Sequence, residues 1–296
     1  MGPGGPGLLL IDRAAERARL EANVATRRHS LLVGPIGCGK SHLLRAVAQT
    51  LPDALYVDAV RPFRVTLLTL CQALHARQAL RFGDGQPTDL AWPDCAKRLG
   101  RLNIRELTDL VVASLADRSW VLVLDQLEGV TPSMGPALER LLEVTCLLGA
   151  TRQLKPGLEK LWWAFDRIDV APLTREETRE LLWTVADRDR IADPEMFEAK
   201  VLGQANGNPY AVVELVKQVA GARAVSRQAI RDLHHAAGVR YLDLTPVLLF
   251  VGAGIVVARF VALGLDDRDL YILAGSLGAV FLAVRYLLFR GPRTGS

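Results

Sequence analysis

The sequence predicts an α/β protein: a parallel sheet flanked by helices, followed by an all-helical region and a C-terminal hairpin of two apolar helices. Three observations support this fold class. Short apolar runs alternate with helical stretches in the first half of the chain, which is typical of a parallel sheet with both faces covered. From Thr174 onward the pattern is helical throughout. Two nearly uncharged segments, 244–265 and 270–289, then follow.

Composition excludes several classes of protein. The chain has 296 residues, of which 50% are hydrophobic and 23% charged, so it is neither disordered nor collagen-like. Its four cysteines, Cys38, Cys71, Cys95 and Cys146, are scattered singly, which indicates reduced intracellular thiols rather than a disulfide or zinc framework. The net charge of +4 suits an anionic membrane surface or a polyanionic ligand.

Individual elements follow from local patterns. The apolar runs 30–33, 54–59 and 120–124 predict strands, and 65–80 and 94–115 predict helical regions. Thr174 with Glu177 three residues later forms a capping box at the start of a helix. Asp193-Pro194 and Pro209 predict the starts of two more helices, since proline is favoured in a first helical turn.

A phosphate-binding loop follows the first strand. Residues 34–41 read Gly-Pro-Ile-Gly-Cys-Gly-Lys-Ser, which is the pattern G-x-x-x-x-G-K-[ST] between a strand and a helix. Glycines let backbone N–H groups turn toward phosphate oxygens, and the new helix directs its positive end at the same anion. Lys40 is predicted to reach the β- and γ-phosphates, and the Ser41 hydroxyl to bind Mg²⁺. Cys38 is the variable residue of the loop and is interpreted as a small tolerated side chain.

A second site element lies at the end of the strand 120–124. Asp125 follows this buried run directly, and ligands of parallel sheets gather at the carboxyl ends of strands. Asp125 is therefore the candidate Mg²⁺ carboxylate. The next residue, Gln126, is a neutral amide and a poor general base. Glu128 is the candidate base that polarises water, the alternative being a solvated loop carboxylate in a protein that hydrolyses ATP slowly.

With these motifs the chain resembles the AAA+/STAND group of P-loop ATPases over residues 8–222. Residues 11–16 look like the "hxGRexE" box that helps to frame the adenine, with Asp12 in place of the glycine and Arg13 as its arginine. The Asp-Gln-hydrophobic-Glu sequence from Asp125 is similar to a Walker B form of bacterial STAND ATPases. Residues 147–152 look like the sensor 1 strand, which implies that Thr151 or Arg152 lies near the γ-phosphate.

The resemblance extends to the lid. Residues 163–177 resemble the junction into the helical lid, and residues 207–210 are similar to the G-x-P motif of STAND lids, which replaces a sensor 2 arginine. The implied cofactors are ATP and Mg²⁺. The predicted nucleotide-binding residues are Arg13, Gly34, Pro35, Ile36, Gly37, Cys38, Gly39, Lys40, Ser41, His42 and Pro209, with Ser41 and Asp125 as metal ligands. The predicted catalytic residues are Lys40, Asp125, Glu128, Thr151 and Arg167.

Arg167 carries a separate hypothesis. In multimeric relatives an arginine near the lid junction reaches the γ-phosphate of a neighbouring subunit, which is worth orders of magnitude in rate. The alternative is a surface arginine paired with Asp166 or Asp169. The finger interpretation implies a homo-oligomer.

The two apolar segments predict a transmembrane hairpin. Each has the roughly 20 residues that a helix needs to cross about 30 Å of hydrocarbon, interrupted only by Arg259 and Arg285. Arginines flank the pair and the connector 266–269 is net acidic, so the positive-inside rule places both flanks in the cytoplasm. Arg259 is expected to pair with Asp266 or Asp269. A buried helical hairpin of a soluble domain is the alternative.

The predicted organisation has six parts: leader 1–7, P-loop ATPase domain 8–172, helical lid 173–238, transmembrane helices 244–265 and 270–289, and cytoplasmic tail 290–296. It predicts a cytoplasmic ATPase anchored in the inner membrane. Three functions stay open: a STAND-like nucleotide-driven switch, a AAA+ motor that remodels a membrane or secretion complex, and a membrane-perturbing effector of bacterial self-defence. Expected partners are the lipid bilayer, a second copy of the chain and an unidentified protein, with nucleic acid disfavoured.

Overall fold

Five parallel strands form the central sheet of this protein. The computed structural model describes residues 13–83, 86–116, 120–220, 225–234, 245–265 and 268–289. The chain divides into two compact units, Met1–Gly238 and Val239–Ser296, which are taken separately below. The strands, all in the first unit, are β1 Ser30–Val33, β2 Ala54–Val57, β3 Val121–Leu124, β4 Cys146–Thr151 and β5 Asp166–Asp169.

Eleven helices of the first unit fall within the described residues. Three short 3₁₀ turns, Leu127–Gly129, Pro132–Met134 and Arg188–Arg190, accompany them. The helices are α1 Ala14–Ala25, α2 Lys40–Thr50, α3 Phe63–Ala76, α4 Trp92–Gly100, α5 Ile104–Leu115, α6 Gly135–Val144, α7 Glu159–Trp162, α8 Arg175–Val185, α9 Pro194–Ala205, α10 Pro209–Ala220 and α11 Arg227–Arg231.

The sheet order is β2-β3-β4-β1-β5, with every pairing parallel. Strands β1, β3 and β4 are buried along their whole length. A sheet covered on both faces needs such continuous apolar strands, because each face packs against helices. The predicted parallel sheet flanked by helices is confirmed, and β1 lies inside it, between β4 and β5.

Successive side chains of β1 pack into two different hydrophobic cores. In β1, Leu31 and Val33 join the cluster formed with α3, α5 and α6, whereas Leu32 joins the cluster formed with α1 and α2. This alternation is the period of two expected of a strand. Burial on both faces fixes the register of β1, so the loop that follows it leaves the sheet at a defined point.

Two predicted elements differ from the structure. The predicted helical region 94–115 is two helices, α4 and α5, because Asn103 accepts from the Glu106 N–H and Glu106 accepts from the Asn103 N–H, which starts a new helix with a capping box. Residues 166–169, predicted to lie in the junction to the lid, form edge strand β5. Only Ile168 is buried there, so the half-polar strand lacks a clear apolar run.

The lid is a helical region with its own core. Helices α8 to α11 enclose a cluster that includes Leu182, Phe197, Val212 and Ile230. The predicted capping box of Thr174 and Glu177 is confirmed at the start of α8. The predicted helix start at Asp193-Pro194 is confirmed by α9, and the Asp193 carboxylate caps this helix by accepting from the Met196 N–H.

Gly207 joins the lid to the segment that leads into it. Its φ is +76°, and its carbonyl accepts a 2.7 Å hydrogen bond from the Leu173 N–H. A Cβ at this position would lie 2.4 Å from the Leu173 carbonyl oxygen and 2.9 Å from the Pro172 Cβ. Only glycine suits both the left-handed backbone and the close approach of two chains.

The second unit contains the helices α12 Thr245–Gly264 and α13 Arg268–Phe289. They pack against each other, with Gly278 close to Ile255 and Gly252 close to Phe281. Arg259 donates a 2.6 Å hydrogen bond to the Tyr271 hydroxyl, a partner that the sequence did not predict.

The structure does not support the predicted transmembrane hairpin. Within the described residues no helix is identified as long and apolar enough to span a bilayer. The predicted leader 1–7, the tail 290–296 and the connector residue Asp266 lie outside the described residues. The predicted inner-membrane location is untested and stays a prediction.

Gly207→Ala should destabilise the lid. The left-handed backbone alone costs about 1–2 kcal/mol for a residue with a Cβ, and the contact with the Leu173 carbonyl adds to it. Gly203→Ala is the matched control, because Gly203 lies within α9 with open space around it and alanine there favours the helix by up to about 1 kcal/mol. Urea unfolding followed by tryptophan fluorescence measures both. Equal midpoints for Gly207→Ala and the unsubstituted protein would contradict this role.

Candidate nucleotide-binding site

The phosphate-binding loop joins β1 to α2 at the carboxyl edge of the sheet. Gly37 and Gly39 have φ values of +79° and +99°, the left-handed backbone that the loop needs to turn its N–H groups inward. Helix α2 begins at Lys40, so its positive end faces the loop. Strand, loop and helix thus stand in the order that the motif requires.

Lys40 is buried, with its ammonium group held by the loop itself. The Nζ atom donates to the carbonyl oxygens of Gly34 and Pro35, both at 2.7 Å, and lies 3.7 Å from the Cys38 sulfur. These two carbonyls satisfy the charge in a buried setting. Both carbonyls belong to the phosphate-binding loop, so the ammonium lies against the loop backbone.

Asp125 follows β3 and is almost fully buried. Its Oδ1 accepts from the Gln126 N–H at 2.8 Å, and its Oδ2 accepts from the Tyr56 hydroxyl at 3.2 Å. Burial, followed by the negative charge of Asp125, raises the pKa of Tyr56 above its usual range, so the hydroxyl stays protonated as a donor. The sequence did not identify Tyr56, although a tyrosine in a buried strand is expected to find a polar partner.

The donor set suits Mg²⁺ bound together with phosphate. The described residues contain no group of three or more His, Cys, Asp or Glu side chains arranged to hold a metal ion. Mg²⁺ is usually bound by one or two protein oxygens plus substrate phosphates and water, so it does not need such a group. The oriented carboxylate of Asp125 and the hydroxyl of Ser41 are the residues that would hold it.

Glu128 and Arg152 meet beside this edge of the sheet. Glu128 lies in the 3₁₀ turn Leu127–Gly129, and its Oε1 is 3.1 Å from the Arg152 Nε. Both side chains are partly exposed, at 26% and 54%. An ion pair this accessible contributes only about 0–1 kcal/mol, so either partner can be exchanged cheaply. The structure thus brings the candidate base and one of the two predicted sensor residues together.

Thr151 and Arg167 have other contacts. The Thr151 hydroxyl is fully buried and donates to the Gln153 carbonyl at 2.9 Å. Arg167 projects from edge strand β5, half exposed, and its Nη2 lies 2.7 Å from the Asp169 carboxylate. This pairing was the stated alternative to an arginine finger. The catalytic roles of both residues are untested and stay predictions, as does the homo-oligomer that the finger implies.

Helix α10 of the lid is seated directly on the phosphate-binding loop. The Asn208 Oδ1 accepts from the N–H groups of Tyr210 and Ala211, which caps the helix, while its Nδ2 donates to the Ile36 carbonyl at 2.9 Å. The Tyr210 N–H also donates to the Gly37 carbonyl at 3.3 Å. One side chain therefore starts a lid helix and binds the loop.

A cavity of about 360 Å³ lies between the loop and the lid. Of the predicted nucleotide-binding residues, eight line it: Arg13, Gly37, Cys38, Gly39, Lys40, Ser41, His42 and Pro209. Gly34, Pro35 and Ile36 belong to the same loop but are not part of this lining. The lining residues that sequence reasoning missed are Arg45, Leu173, Leu181, Tyr210, Val213, Glu214 and Lys217.

Arg13 reaches this cavity from the start of α1. Its guanidinium forms a 2.8 Å ion pair with Glu16 and donates to the carbonyl oxygens of Ala171, at 2.5 Å, and Cys38, at 3.4 Å. It thereby links the N-terminal segment, the phosphate-binding loop and the segment leading into the lid.

Cys38 is buried and reduced, as are Cys71, Cys95 and Cys146.

Comparison with models of protein families agrees with this geometry. Residues 10–154 match the family described as AAA ATPase domain. Two similar solved structures are a STAND protein with a tetratricopeptide repeat sensor from Pyrococcus horikoshii and domain III of the replication initiation protein DnaA from Thermotoga maritima. A search of curated proteins gave no significant match.

Both structural similarities are distant. The STAND protein is 16% identical with a TM-score of 0.42, and the match covers 70% of this chain but only 30% of that one. The DnaA domain is 17% identical with a TM-score of 0.46, over 78% of this chain and 92% of that one. The conclusion therefore rests on the family match and on the strand, loop and helix around Lys40, which together support a P-loop ATPase.

Proposed function

We propose that this protein binds and hydrolyses ATP and that the bound nucleotide sets the position of the helical lid. The observation that carries the proposal is the direct seat of α10 on the phosphate-binding loop through Asn208 and the Ile36 carbonyl. Any change in the loop backbone on nucleotide binding reaches the lid through this contact. A conformational switch needs such an element, whose equilibrium the ligand biases.

In the proposed reaction, water attacks the γ-phosphorus of ATP and the bond to the β,γ-bridging oxygen breaks, giving ADP and phosphate. Lys40 exchanges the Gly34 and Pro35 carbonyls for phosphate oxygens. Ser41 and Asp125 would hold Mg²⁺, which would supply positive charge to offset that of the phosphates. Glu128 accepts the proton of the attacking water. For this step Glu128 must turn from Arg152 toward the water.

The alternatives differ in what they need. A motor needs continuous turnover in a stable ring, and a membrane-perturbing effector needs helices that cross a bilayer. The switch needs only the coupling between loop and lid. That coupling is the reason for preferring it.

Lys40→Ala and Glu128→Gln should separate binding from hydrolysis. Lys40→Ala removes a charged phosphate contact, so both ATP affinity and turnover should fall about a hundredfold or more. Glu128→Gln keeps the shape of the side chain but removes the base, so ATP should bind within about threefold while turnover falls about a hundredfold. Calorimetric titration and steady-state phosphate release measure the two quantities.

Glu143→Gln is the control for these variants, because Glu143 is exposed on α6. It should leave both binding and turnover unchanged. If Glu128→Gln turned over ATP at the unsubstituted rate, Glu128 would be a solvated loop carboxylate. If ATP bound to neither the protein nor its variants, the proposed function would be wrong.

Asn208→Ala should uncouple the lid from the nucleotide. In the unsubstituted protein we expect ATP to slow amide hydrogen exchange at the start of α10, and Asn208→Ala should reduce that effect by more than half. The control is Asn103→Ala, which also removes a helix cap, at the start of α5. If ATP protected α10 in Asn208→Ala as fully as in the unsubstituted protein, Asn208 would not couple the lid to the nucleotide.

A further inference from the structure

Glu214 is an unexpected residue in a cavity that receives phosphates. Among the described residues that line the cavity, the cations are Arg13, Lys40, Arg45 and Lys217, and Glu214 is the one carboxylate. A carboxylate beside a polyphosphate is repelled by it. The part of the ligand that Glu214 contacts is therefore not anionic.

Helix α10 fixes where Glu214 lies relative to the phosphates. The first turn of α10 touches the loop, through the bond from the Tyr210 N–H to the Gly37 carbonyl. Glu214 is four residues further on, which is one helical turn and about 6 Å along the axis. That displacement takes the carboxylate away from the phosphate site while keeping it on the cavity face of α10.

The neighbouring lining residues indicate what occupies that part of the cavity. Leu173, Leu181 and Val213 provide an apolar surface that suits a purine ring. Glu214 follows Val213 directly on α10 and lines the same cavity, so its carboxylate lies beside this apolar surface. In a nucleotide, the ribose is the part that joins the phosphates to the base.

Lys217 makes the carboxylate tolerable in this position. Its Nζ lies 2.8 Å from the Glu214 Oε1, one helical turn away, and this hydrogen bond raises the pKa of Lys217. The Glu214 side chain is 31% exposed and that of Lys217 is 65% exposed. The Lys217 ammonium balances the charge of the Glu214 carboxylate, whose second oxygen can take a donor from the ligand.

We propose that Glu214 binds the ribose hydroxyls of the nucleotide and makes the site selective for ribonucleotides over deoxyribonucleotides. This inference rests on the proposed function, since it needs the nucleotide to lie in the cavity. A carboxylate only accepts hydrogen bonds, and the 2′- and 3′-hydroxyls are donors. A site built around such a hydroxyl rejects the analogue that lacks it, because the acceptor then loses its solvation without gaining a partner.

The test is the affinity of the full chain for ATP, 2′-deoxyATP and 3′-deoxyATP, measured by calorimetry with Mg²⁺. We expect ATP to bind at least about tenfold more tightly than the weaker of the two deoxy analogues, as for a hydrogen bond to a charged group. In Glu214→Gln the ratio should fall below about threefold, chiefly through weaker binding of ATP. Glu195→Gln, an exposed residue of α9, should keep the unsubstituted ratio.

The possible outcomes distinguish failure of the ribose assignment from failure of the proposed ATP-binding function. If ATP and both deoxy analogues bind equally well to the unsubstituted protein, or if Glu214→Gln weakens all three by the same factor, the ribose assignment is wrong and the ATP site stands. If Glu214→Gln instead changes the preference for ATP over ITP, which lacks the 6-amino group, Glu214 reads the base and the assignment is again wrong. If no nucleotide binds, the proposed function itself fails.

Discussion

The contact between Asn208 and the phosphate-binding loop is the constraint on which the rest of the site depends. The Asn208 side chain caps α10 through its oxygen and donates to the Ile36 carbonyl through its nitrogen. The start of the lid helix therefore cannot shift away from the loop without breaking one of these two hydrogen bonds. Gly37 makes this fit possible, since a Cβ there would lie 2.5 Å from the Asn208 Oδ1. The cavity lies between this loop and the lid helix that the contact attaches to it.

Several charged groups of the site already have partners within the protein. Lys40 is held by loop carbonyls, Glu128 by Arg152, Glu214 by Lys217, and Arg13 by Glu16 and two carbonyls. A nucleotide bound as proposed would therefore exchange partners rather than fill empty sites. Each exchange yields only a small net free energy, because an old interaction is lost as a new one forms. Such a balance suits a switch, in which ATP and ADP need to favour different arrangements of the same groups.

Sequence reasoning identified the parts of the structure that short-range patterns determine. Strands β1 to β3, the loop from Gly34 to Ser41, the position of Asp125, the capping box of α8 and the start of α9 follow from local patterns in the chain, whereas β4 was indicated by the family resemblance. Strand β5 was missed because an edge strand with one buried residue has no continuous apolar run. The hairpin 244–289 was predicted as two helices, and two helices are present, but a membrane span is not supported.

The site residues that the sequence did not identify are brought together by contacts between distant segments. Tyr56 and Asp125 are 69 positions apart, so only the pairing of β2 with β3 brings them together. Glu214 and Lys217 are ordinary helix residues until the seat of α10 decides which face of that helix meets the loop. That seat depends on Asn208 and on the approach of Gly207 to Leu173, which involve segments distant in sequence. No local pattern reports such contacts.

The most direct test of this account is the distance between the sheet domain and the lid in different nucleotide states. Positions 143 on α6 and 195 on α9 are exposed and suit spin labels, and the four native cysteines are buried. Pulsed electron paramagnetic resonance would then compare the ATP- and ADP-bound protein, with Lys40→Ala as the unliganded reference. The account predicts a distance distribution that shifts between ATP and ADP and does not respond to either nucleotide in Lys40→Ala. Identical distributions with ATP and ADP, at concentrations where both are bound, would contradict it.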